Sequence, residues 1–245
     1  MNNLTTFHFV DSLKDFLLAR HGGQSIEYHF NGSPSVKDAM EALGVPPPEV
    51  AYIVCQGVYI DFNHQLRGGE YISFYPYCRP PLEGVKPLFP LMPVGRPLFI
   101  ADVHLGRLAR YMRVAGFDTI YEKKDMGDEA ITAIAAAENR IVLTRDVGLL
   151  KRSIINYGYI LRSSNSRQQF KEVVARYFLK PLFMPFSKCV HCNGLIKSID
   201  KKEVMSSLPD GIKSNFEKFS ICSQCGHIYW EGSHYKRIRI MLGAC

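Results

Sequence analysis

The chain has 245 residues, of which 47% are hydrophobic and 22% charged; this is the composition of a folded globular protein and excludes a disordered one. No stretch approaches the roughly 18 apolar residues that span a bilayer, and residues 1–6 lack a signal-peptide pattern, so we expect a cytoplasmic protein without a membrane partner. The formal net charge of +7 is uneven: residues 1–79 carry −3 and residues 80–245 carry +10, which favours the later part as the partner of a polyanion.

The first 79 residues predict a domain in which two helices are inserted among short strands. The strands are expected at 5–10, 25–30, 51–55, 58–60 and 71–75, and the helices at 12–20 and 35–43. Ser35 is the expected N-cap of the second helix, and Gly44 ends it. Cys55 lies in an apolar run and is predicted to be a core residue, and no catalytic constellation is apparent in this part of the chain.

A proline-rich stretch at residues 80–96 separates this domain from the rest of the chain. Proline at this density can continue neither a helix nor a central strand. We therefore predict a linker here, with domains on either side.

Residues 97–182 alternate strand and helix. Strands are predicted at 97–101, 118–121, 140–144 and 157–162, and helices at 103–115, from about 125 to 139, after 146, and at 168–178. This alternation predicts a parallel α/β sheet with right-handed crossovers.

Acidic residues stand where predicted strands pass into helices. Asp102 and Asp146 each follow an apolar strand, and Asp128 opens the helix between those strands. At the carboxyl edge of a parallel sheet these carboxylates are suitable ligands for catalytic Mg²⁺ or Mn²⁺, which lowers the pKa of a bound water. The alternative is that each aspartate only caps its own helix. Three further carboxylates are reserves: Asp118, Asp125 and Glu129.

Basic residues accompany these carboxylates. Arg107, Arg110 and Arg113 recur every third residue, and this spacing predicts one basic helix face away from the apolar stripe. Arginines beside such a site hold the phosphates that flank a scissile bond, whereas the alternative is a merely solvated face. The other candidate nucleic-acid contacts are Arg145, Lys151 and Arg152.

Two C-x-x-C pairs, Cys189/Cys192 and Cys222/Cys225, lie in the last segment, residues 183–245. Each is followed by a small turn residue, as in a knuckle that presents two thiolates, and together they predict a closed, structural Zn²⁺ site. The 29 residues between the pairs exceed the usual spacing and indicate an insertion. His191 and His227 are expected to be bystanders, and Trp230 is expected in the small core of the module, with base stacking as the alternative.

The motifs resemble a known family. Residues 99–119, with Asp128-Glu129 and Leu143-Thr-Arg-Asp146, closely resemble the Mut7-C RNase family, whose fold is PIN-like. The ribbon ending at His234 matches that family's C-terminal module, and residues 36–46 and 72–76 look like its ubiquitin-like β-grasp domain. The chain departs from the family at His104, where an apolar residue or methionine is more common.

The resemblance implies metal-dependent cleavage of RNA, with Asp102, Asp128 and Asp146 in the acidic positions. The predicted order is a β-grasp domain (1–79), the linker (80–96), a PIN-like domain (97–182) and a zinc ribbon (183–245). The ribbon is expected to aid RNA binding, and a protein partner for the β-grasp domain is not identified. The alternatives are a non-catalytic nucleic-acid-binding adaptor and, third, a toxin-like nuclease regulated by a partner.

Overall fold

The computed structural model describes residues 3–17, 25–77, 84–124 and 126–243, apart from the side chains of residues 234, 236 and 241. Two compact units are present: the first combines residues 1–93 with 127–160, and the second combines 94–126 with 161–245. In the described ranges, no helix is long and apolar enough to cross a membrane.

The N-terminal part of the first unit is a five-stranded mixed sheet in the order β2-β1-β5-β3-β4. Its strands are β1 (Asn3–Phe9), β2 (Ser25–Phe30), β3 (Val50–Cys55), β4 (Val58–Ile60) and β5 (Tyr71–Pro76). The pairing of β1 with β5 is parallel, and the other pairings are antiparallel. This arrangement confirms the predicted β-grasp fold.

One helix, α1 (Val36–Ala42), packs its apolar side into this sheet. Ser35 is its N-cap, as predicted, and the Ser35 hydroxyl accepts a hydrogen bond from the backbone nitrogen of Asp38. Val36, Ala39 and Met40 are fully buried in the same core as Phe7, Phe74 and the other inward residues of the strands. Burial of each large side chain contributes about 1.5–3 kcal/mol, so this core is the main source of the domain's stability.

The predicted helix over 12–20 differs from the observed structure. A short 3₁₀ helix, Asp11–Phe16, is formed instead, and its residue Leu13 is buried. The end of the predicted helix, residues 18–20, lies outside the described residues, as does the reserve carboxylate Asp125.

Residues 127–160 of the first unit contribute two helices and two strands. In chain order they are α3 (Gly127–Glu138), β8 (Ile141–Thr144), α4 (Val147–Leu150) and β9 (Gly158–Ile160). They follow β6 (Phe99–Ala101), α2 (Gly106–Val114) and β7 (Thr119–Ile120) of the second unit. β8 and β9 pair in parallel, and all four residues of β8 are buried, which explains its continuous apolar sequence.

Two hydrogen bonds join this segment to the β-grasp part of the same unit. The buried carboxylate of Glu49 accepts from the backbone nitrogen of Ile160 at 2.8 Å. Lys151 Nζ donates to the backbone carbonyl of Glu41 at 2.5 Å. The two segments are therefore connected by polar contacts as well as by packing.

The second unit begins with strand, helix and strand. β6 (Phe99–Ala101) leads through a 3₁₀ turn (Val103–Leu105) into α2 (Gly106–Val114), and β7 (Thr119–Ile120) then pairs with β6 in parallel. The parallel α/β class is thus confirmed. α5 (Ser166–Arg176) packs beside α2 and is capped by Asn165, whose side chain accepts from the backbone nitrogens of Arg167 and Gln168.

The C-terminal part of the second unit is a three-stranded antiparallel ribbon. Its elements are β10 (Ile196–Ile199), α6 (Lys201–Val204), α7 (Asp210–Asn215), β11 (Phe219–Cys222), β12 (Ile228–Trp230) and α8 (Ser233–Gly243). The predicted insertion between the two cysteine pairs forms α6 and α7. Trp230 packs against the small core of Val204, Leu208 and Phe219, as expected for a structural aromatic.

Candidate functional site

The four cysteines converge in the second unit. The Sγ atoms of Cys189, Cys192, Cys222 and Cys225 all lie within 4.8 Å of one another. Cys189 and Cys225 are separated by 3.6 Å, and Cys192 and Cys222 by 3.4 Å. A tetrahedral zinc ion with Zn–S bonds of about 2.3 Å requires S–S separations of about 3.8 Å, so these four residues fit zinc closely.

The two knuckles are built in the same way. In each, the backbone nitrogen of the first cysteine donates to a carbonyl five residues later: Cys189 to Gly194, and Cys222 to His227. Asn193 and Gly226 have left-handed backbone conformations, with φ of 68° and 70°, and each returns a hydrogen bond to the carbonyl of the first cysteine. The small turn residues predicted from the sequence are therefore the ones that close the turns.

Hydrogen bonding prepares Cys189 for ionisation. Burial opposes the charged thiolate, but the nearby Tyr229 hydroxyl, 3.0 Å from Sγ, and the backbone amides of the knuckle outweigh it. Together they lower the pKa of Cys189 to about 6. Burial and the neighbouring thiols raise the pKa values of Cys192 and Cys225, so Cys189 is the thiol prepared as a thiolate and the metal must displace the protons of the others.

Arg113 does not lie on the predicted basic face. It is only 4% exposed, whereas Arg107 and Arg110 on the same helix are exposed. The buried side of α2 includes Arg113 as well as its apolar neighbours Met112 and Val114, so this side is wider than the predicted apolar stripe. The expectation that Arg113 faces solvent is wrong.

Arg113 instead holds the first cysteine knuckle. Its Nε donates to the carbonyl of Thr119 at 2.9 Å, and its Nη1 donates to the carbonyls of Val190 and His191 at 3.2 and 3.1 Å. Burial lowers the pKa of this guanidinium, while the nearby thiols of Cys189 and Cys192 oppose that shift. The zinc knuckle is therefore attached to the helix that follows Asp102.

Asp118, one of the reserve carboxylates, completes this attachment. Its Oδ1 accepts from Asn193 Nδ2 at 2.9 Å, and its Oδ2 accepts from Lys188 Nζ at 2.7 Å. Asn193 Oδ1 in turn accepts from the backbone nitrogen of Thr119 at 3.0 Å. The position of Asn193 after a C-x-x-C pair is a sequence signal for a turn, but its side-chain contacts with Asp118 and Thr119 have no such signal.

Asp102 follows β6 directly and is partly buried. It is the N-cap residue of the 3₁₀ turn Val103–Leu105. Its side chain makes no capping hydrogen bond, and its backbone carbonyl accepts a hydrogen bond from the backbone nitrogen of Leu105. The capping alternative therefore does not account for this aspartate.

Asp146, in the first unit, does cap its helix. Its Oδ1 accepts from the backbone nitrogen of Gly148 at 2.7 Å, and the Thr144 hydroxyl accepts from the Asp146 backbone nitrogen at 2.9 Å. For Asp146 the capping alternative is observed, and it engages one of the two carboxylate oxygens.

Asp128 lies in the first turn of α3, also in the first unit. Its Oδ2 accepts from Arg152 Nη2 at 3.0 Å, and both side chains are 43% exposed. Such a half-exposed pair contributes at most about 1 kcal/mol and is readily exchanged for another partner.

The remaining basic candidates differ in their surroundings. Arg145 is exposed at the end of β8. Lys151 is half-buried, and its ammonium is used in the hydrogen bond to Glu41. Of the six predicted contacts, the exposed or half-exposed guanidinium groups are those of Arg107, Arg110, Arg145 and Arg152.

The three predicted aspartate ligands are divided between the two units: Asp102 belongs to the second, and Asp128 and Asp146 belong to the first. Their carboxylate oxygens are of the type that Mg²⁺ and Mn²⁺ prefer. Their assignment as metal ligands stays a prediction.

The fold and the cysteine site define a protein with an N-terminal ubiquitin-like domain, a parallel α/β domain and a four-cysteine zinc ribbon. The Mut7-C RNAse domain model matches residues 97–242, and the Mut7-C ubiquitin model matches residues 2–81. The chain belongs to the Mut7-C RNAse domain family. The matched range includes both the α/β segment and the ribbon. No curated protein matches the chain.

Proposed function

We propose that the protein is a metal-dependent ribonuclease that hydrolyses phosphodiester bonds of RNA. The proposal is carried by the match of residues 97–242 to the Mut7-C RNAse domain model. Within this range, Asp102 follows strand β6 and Asp146 comes shortly after strand β8. Catalytic sites of open parallel sheets collect at the carboxyl ends of strands.

Asp102, Asp128 and Asp146 are the proposed ligands of Mg²⁺ or Mn²⁺. When bound, such an ion activates water and stabilises the charge that develops on the phosphate. Asp102 directly follows β6, and Asp146 uses one carboxylate oxygen in its cap. Arg152 orients the Asp128 carboxylate through their ion pair. Because both side chains are half-exposed and the pair is weak, Mg²⁺ or Mn²⁺ would replace the arginine as the partner of this carboxylate.

The proposed RNA contacts are the exposed or half-exposed arginines Arg107, Arg110, Arg145 and Arg152. A planar guanidinium binds phosphate oxygens in a bidentate manner, which positions the backbone without reading its sequence. Arg113 is omitted because it is buried, and Lys151 is omitted because its ammonium is engaged.

The ribbon has two proposed roles. It supports α2, since Arg113 and Asp118 attach the first knuckle to this part of the chain. It also extends the RNA surface through Lys197 and Lys202, which are exposed, whereas Lys201 is paired with Glu217 at 2.6 Å.

A cleavage assay tests the proposal. Zinc-loaded full-length protein in metal-free buffer is given end-labelled or internally labelled RNA, with Mg²⁺ or Mn²⁺ either omitted or added. A chelator is avoided because it would also remove the ribbon zinc. We expect cleavage only with the added ion, and loss of cleavage in Asp102→Asn and Asp146→Asn. Asparagine preserves the cap at position 146, because its side-chain oxygen is also a good cap acceptor.

Asp210→Asn is the matched control, since its side chain is 99% exposed in α7 and it should retain full activity. Undiminished cleavage in both Asp102→Asn and Asp146→Asn would refute the assignment. Salt-dependent RNA binding without turnover in any ion would instead support the adaptor.

A further inference from the structure

Three ligand-type side chains converge in the β-grasp part of the first unit, apart from the ribbon. Cys55 is the last residue of β3, and His64 and Glu70 lie in the loop between β4 and β5. One ligand atom from each of these residues lies within 4.8 Å of the others.

The carboxylate of Glu70 is at the centre of this cluster. Its Oε1 lies 2.7 Å from His64 Nε2 and 3.8 Å from Cys55 Sγ. Its Oε2 accepts from the backbone nitrogen of Arg67 at 2.8 Å, which fixes the plane of the carboxylate. This outer hydrogen bond is of the kind that orients ligands in metal sites.

Burial separates the cluster from bulk water but leaves a route for an ion. Cys55 and Glu70 are 8% and 9% exposed, while the His64 side chain is 21% exposed. A sulfur, a nitrogen and an oxygen donor are thus held at the edge of the core, with the imidazole at the solvent side.

The geometry points to a second metal site, formed by Cys55, His64 and Glu70, that binds Zn²⁺ or a similar divalent cation. Zinc accepts this mixture of donors, and three protein ligands leave a fourth position for water or another ligand. A thiolate, a carboxylate and a neutral imidazole together balance the charge of a divalent ion.

The distances are close to those that zinc requires. With bonds of about 2.0 Å to N and O and about 2.3 Å to S, a tetrahedral site separates N from O by about 3.3 Å and S from O by about 3.5 Å. Sγ and Oε1, at 3.8 Å, must approach each other by about 0.3 Å, and His64 must move away from Glu70 by about 0.6 Å. His64 lies in a loop and is partly exposed, so the movement is small and unobstructed by the core.

Binding exchanges protons for metal bonds. The Cys55 thiol loses its proton to solvent and forms the Zn–S bond. His64 Nε2 gives up to solvent the proton that it donates to Glu70, and the imidazole stays neutral with a proton on Nδ1. The hydrogen bond between the two residues is then replaced by Zn–N and Zn–O bonds. Because the Cys55 thiol must lose its proton, the metal competes with protons for the site and binds more weakly in acid.

Metal stoichiometry tests the site. The full-length chain is prepared with Asp102→Asn and Asp146→Asn, so that zinc bound by those carboxylates is not counted. It is loaded with Zn²⁺, dialysed in metal-free buffer and analysed for zinc per chain. We expect two zinc ions per chain, one after His64→Ala, and two after the control His29→Ala, which removes an exposed histidine of β2. One ion in the parent protein, or an equal number in the parent and in His64→Ala, would overturn the site.

Cobalt substitution distinguishes the two metal sites spectroscopically. We expect the second equivalent of Co²⁺ to add a thiolate charge-transfer band that is lost in His64→Ala, with the four-thiolate spectrum of the ribbon unchanged. A second equivalent that adds no thiolate band contradicts the role of Cys55. Since His64 is partly exposed, circular dichroism of His64→Ala is expected to match the parent, so that loss of metal is not a consequence of unfolding.

Discussion

The Glu49 carboxylate accepts a hydrogen bond from the backbone nitrogen of Ile160, across 111 residues of chain. Glu49 belongs to the range matched by the ubiquitin model and Ile160 to the range matched by the RNAse model, yet both lie in one compact unit. The β-grasp part therefore contributes a buried hydrogen-bond acceptor to the end of β9.

Replacement of Glu49 by alanine should destabilise the first unit. The variant loses the buried hydrogen bond from the amide of Ile160 to Glu49, at a cost of about 1–3 kcal/mol. Urea unfolding measures the change, with Glu27→Ala, at an exposed position of β2, as the control. Equal losses in both variants would mean that the hydrogen bond contributes nothing specific.

Arg113→Met should destabilise the second unit and weaken zinc retention. In this variant two knuckle carbonyls and the carbonyl of Thr119 lose their charged hydrogen-bond donor. Hydrogen bonds to charged groups are worth about 1.5–3 kcal/mol each. We therefore expect the free energy of unfolding to fall by at least about 3 kcal/mol. Thermal unfolding and zinc release to a competing chelator are the measurements. Arg110→Met is the control: this residue is exposed on the same helix, so its replacement should leave the unfolding temperature and the zinc retention unchanged. If both variants released zinc at the same chelator concentration, the proposed attachment of the knuckle by Arg113 would be contradicted.

Removal of zinc should unfold the ribbon while the first unit persists. The chain has a single tryptophan, Trp230, and it packs in the ribbon core, so its fluorescence reports on this module alone. We expect a chelator to shift its emission to longer wavelength, and added zinc to reverse the shift. Unchanged emission in a protein shown to be zinc-free would mean that the ribbon folds without metal.

Replacement of Glu41 by glutamine should stabilise the protein at neutral pH. Burial raises the pKa of this carboxyl, with Asp38 adding to the effect against Lys37 and Lys151, and its Oε1 has no hydrogen-bond partner among the described residues. A folded pKa above the unfolded one means that stability is lost as pH rises from the unfolded value through the folded value.

Wild type and Glu41→Gln should therefore unfold alike below about pH 4 and diverge toward pH 7, with the variant more stable. Urea unfolding at both pH values gives the difference, and any acid loss of zinc affects both proteins equally. A variant that is less stable than wild type at pH 7 would contradict the sign.

Arg107→Ala with Arg110→Ala should weaken RNA binding and reduce its salt dependence. For single-stranded RNA, the slope of the logarithm of the binding constant against the logarithm of the salt concentration becomes shallower by about 0.7 for each phosphate that the protein no longer neutralises. The measurement is made with Asp102→Asn protein so that RNA is not cleaved. Lys171→Ala, at an exposed position of α5, serves as the control. If the double variant had the same slope as its Asp102→Asn parent, Arg107 and Arg110 would not be part of the RNA interface.

The sequence alone determined the elements with strong local signals. The cap at Ser35, the strand–helix alternation and the convergence of the four cysteines were predicted correctly, because capping, apolar periodicity and C-x-x-C turns are properties of neighbouring residues. The family was likewise identified from local motifs.

Tertiary structure alone decided which polar side chains are buried and what they contact. Helical spacing placed Arg113 with Arg107 and Arg110, but two of the three carbonyls that accept its hydrogen bonds belong to a knuckle 77 and 78 residues away. The Cys55–His64–Glu70 cluster, and the bond of Glu49 to Ile160, likewise depend on how strands pair and on where distant segments pack. A hydrogen bond to a remote backbone group leaves no periodicity in the sequence, and its partner is fixed only when the chain has folded.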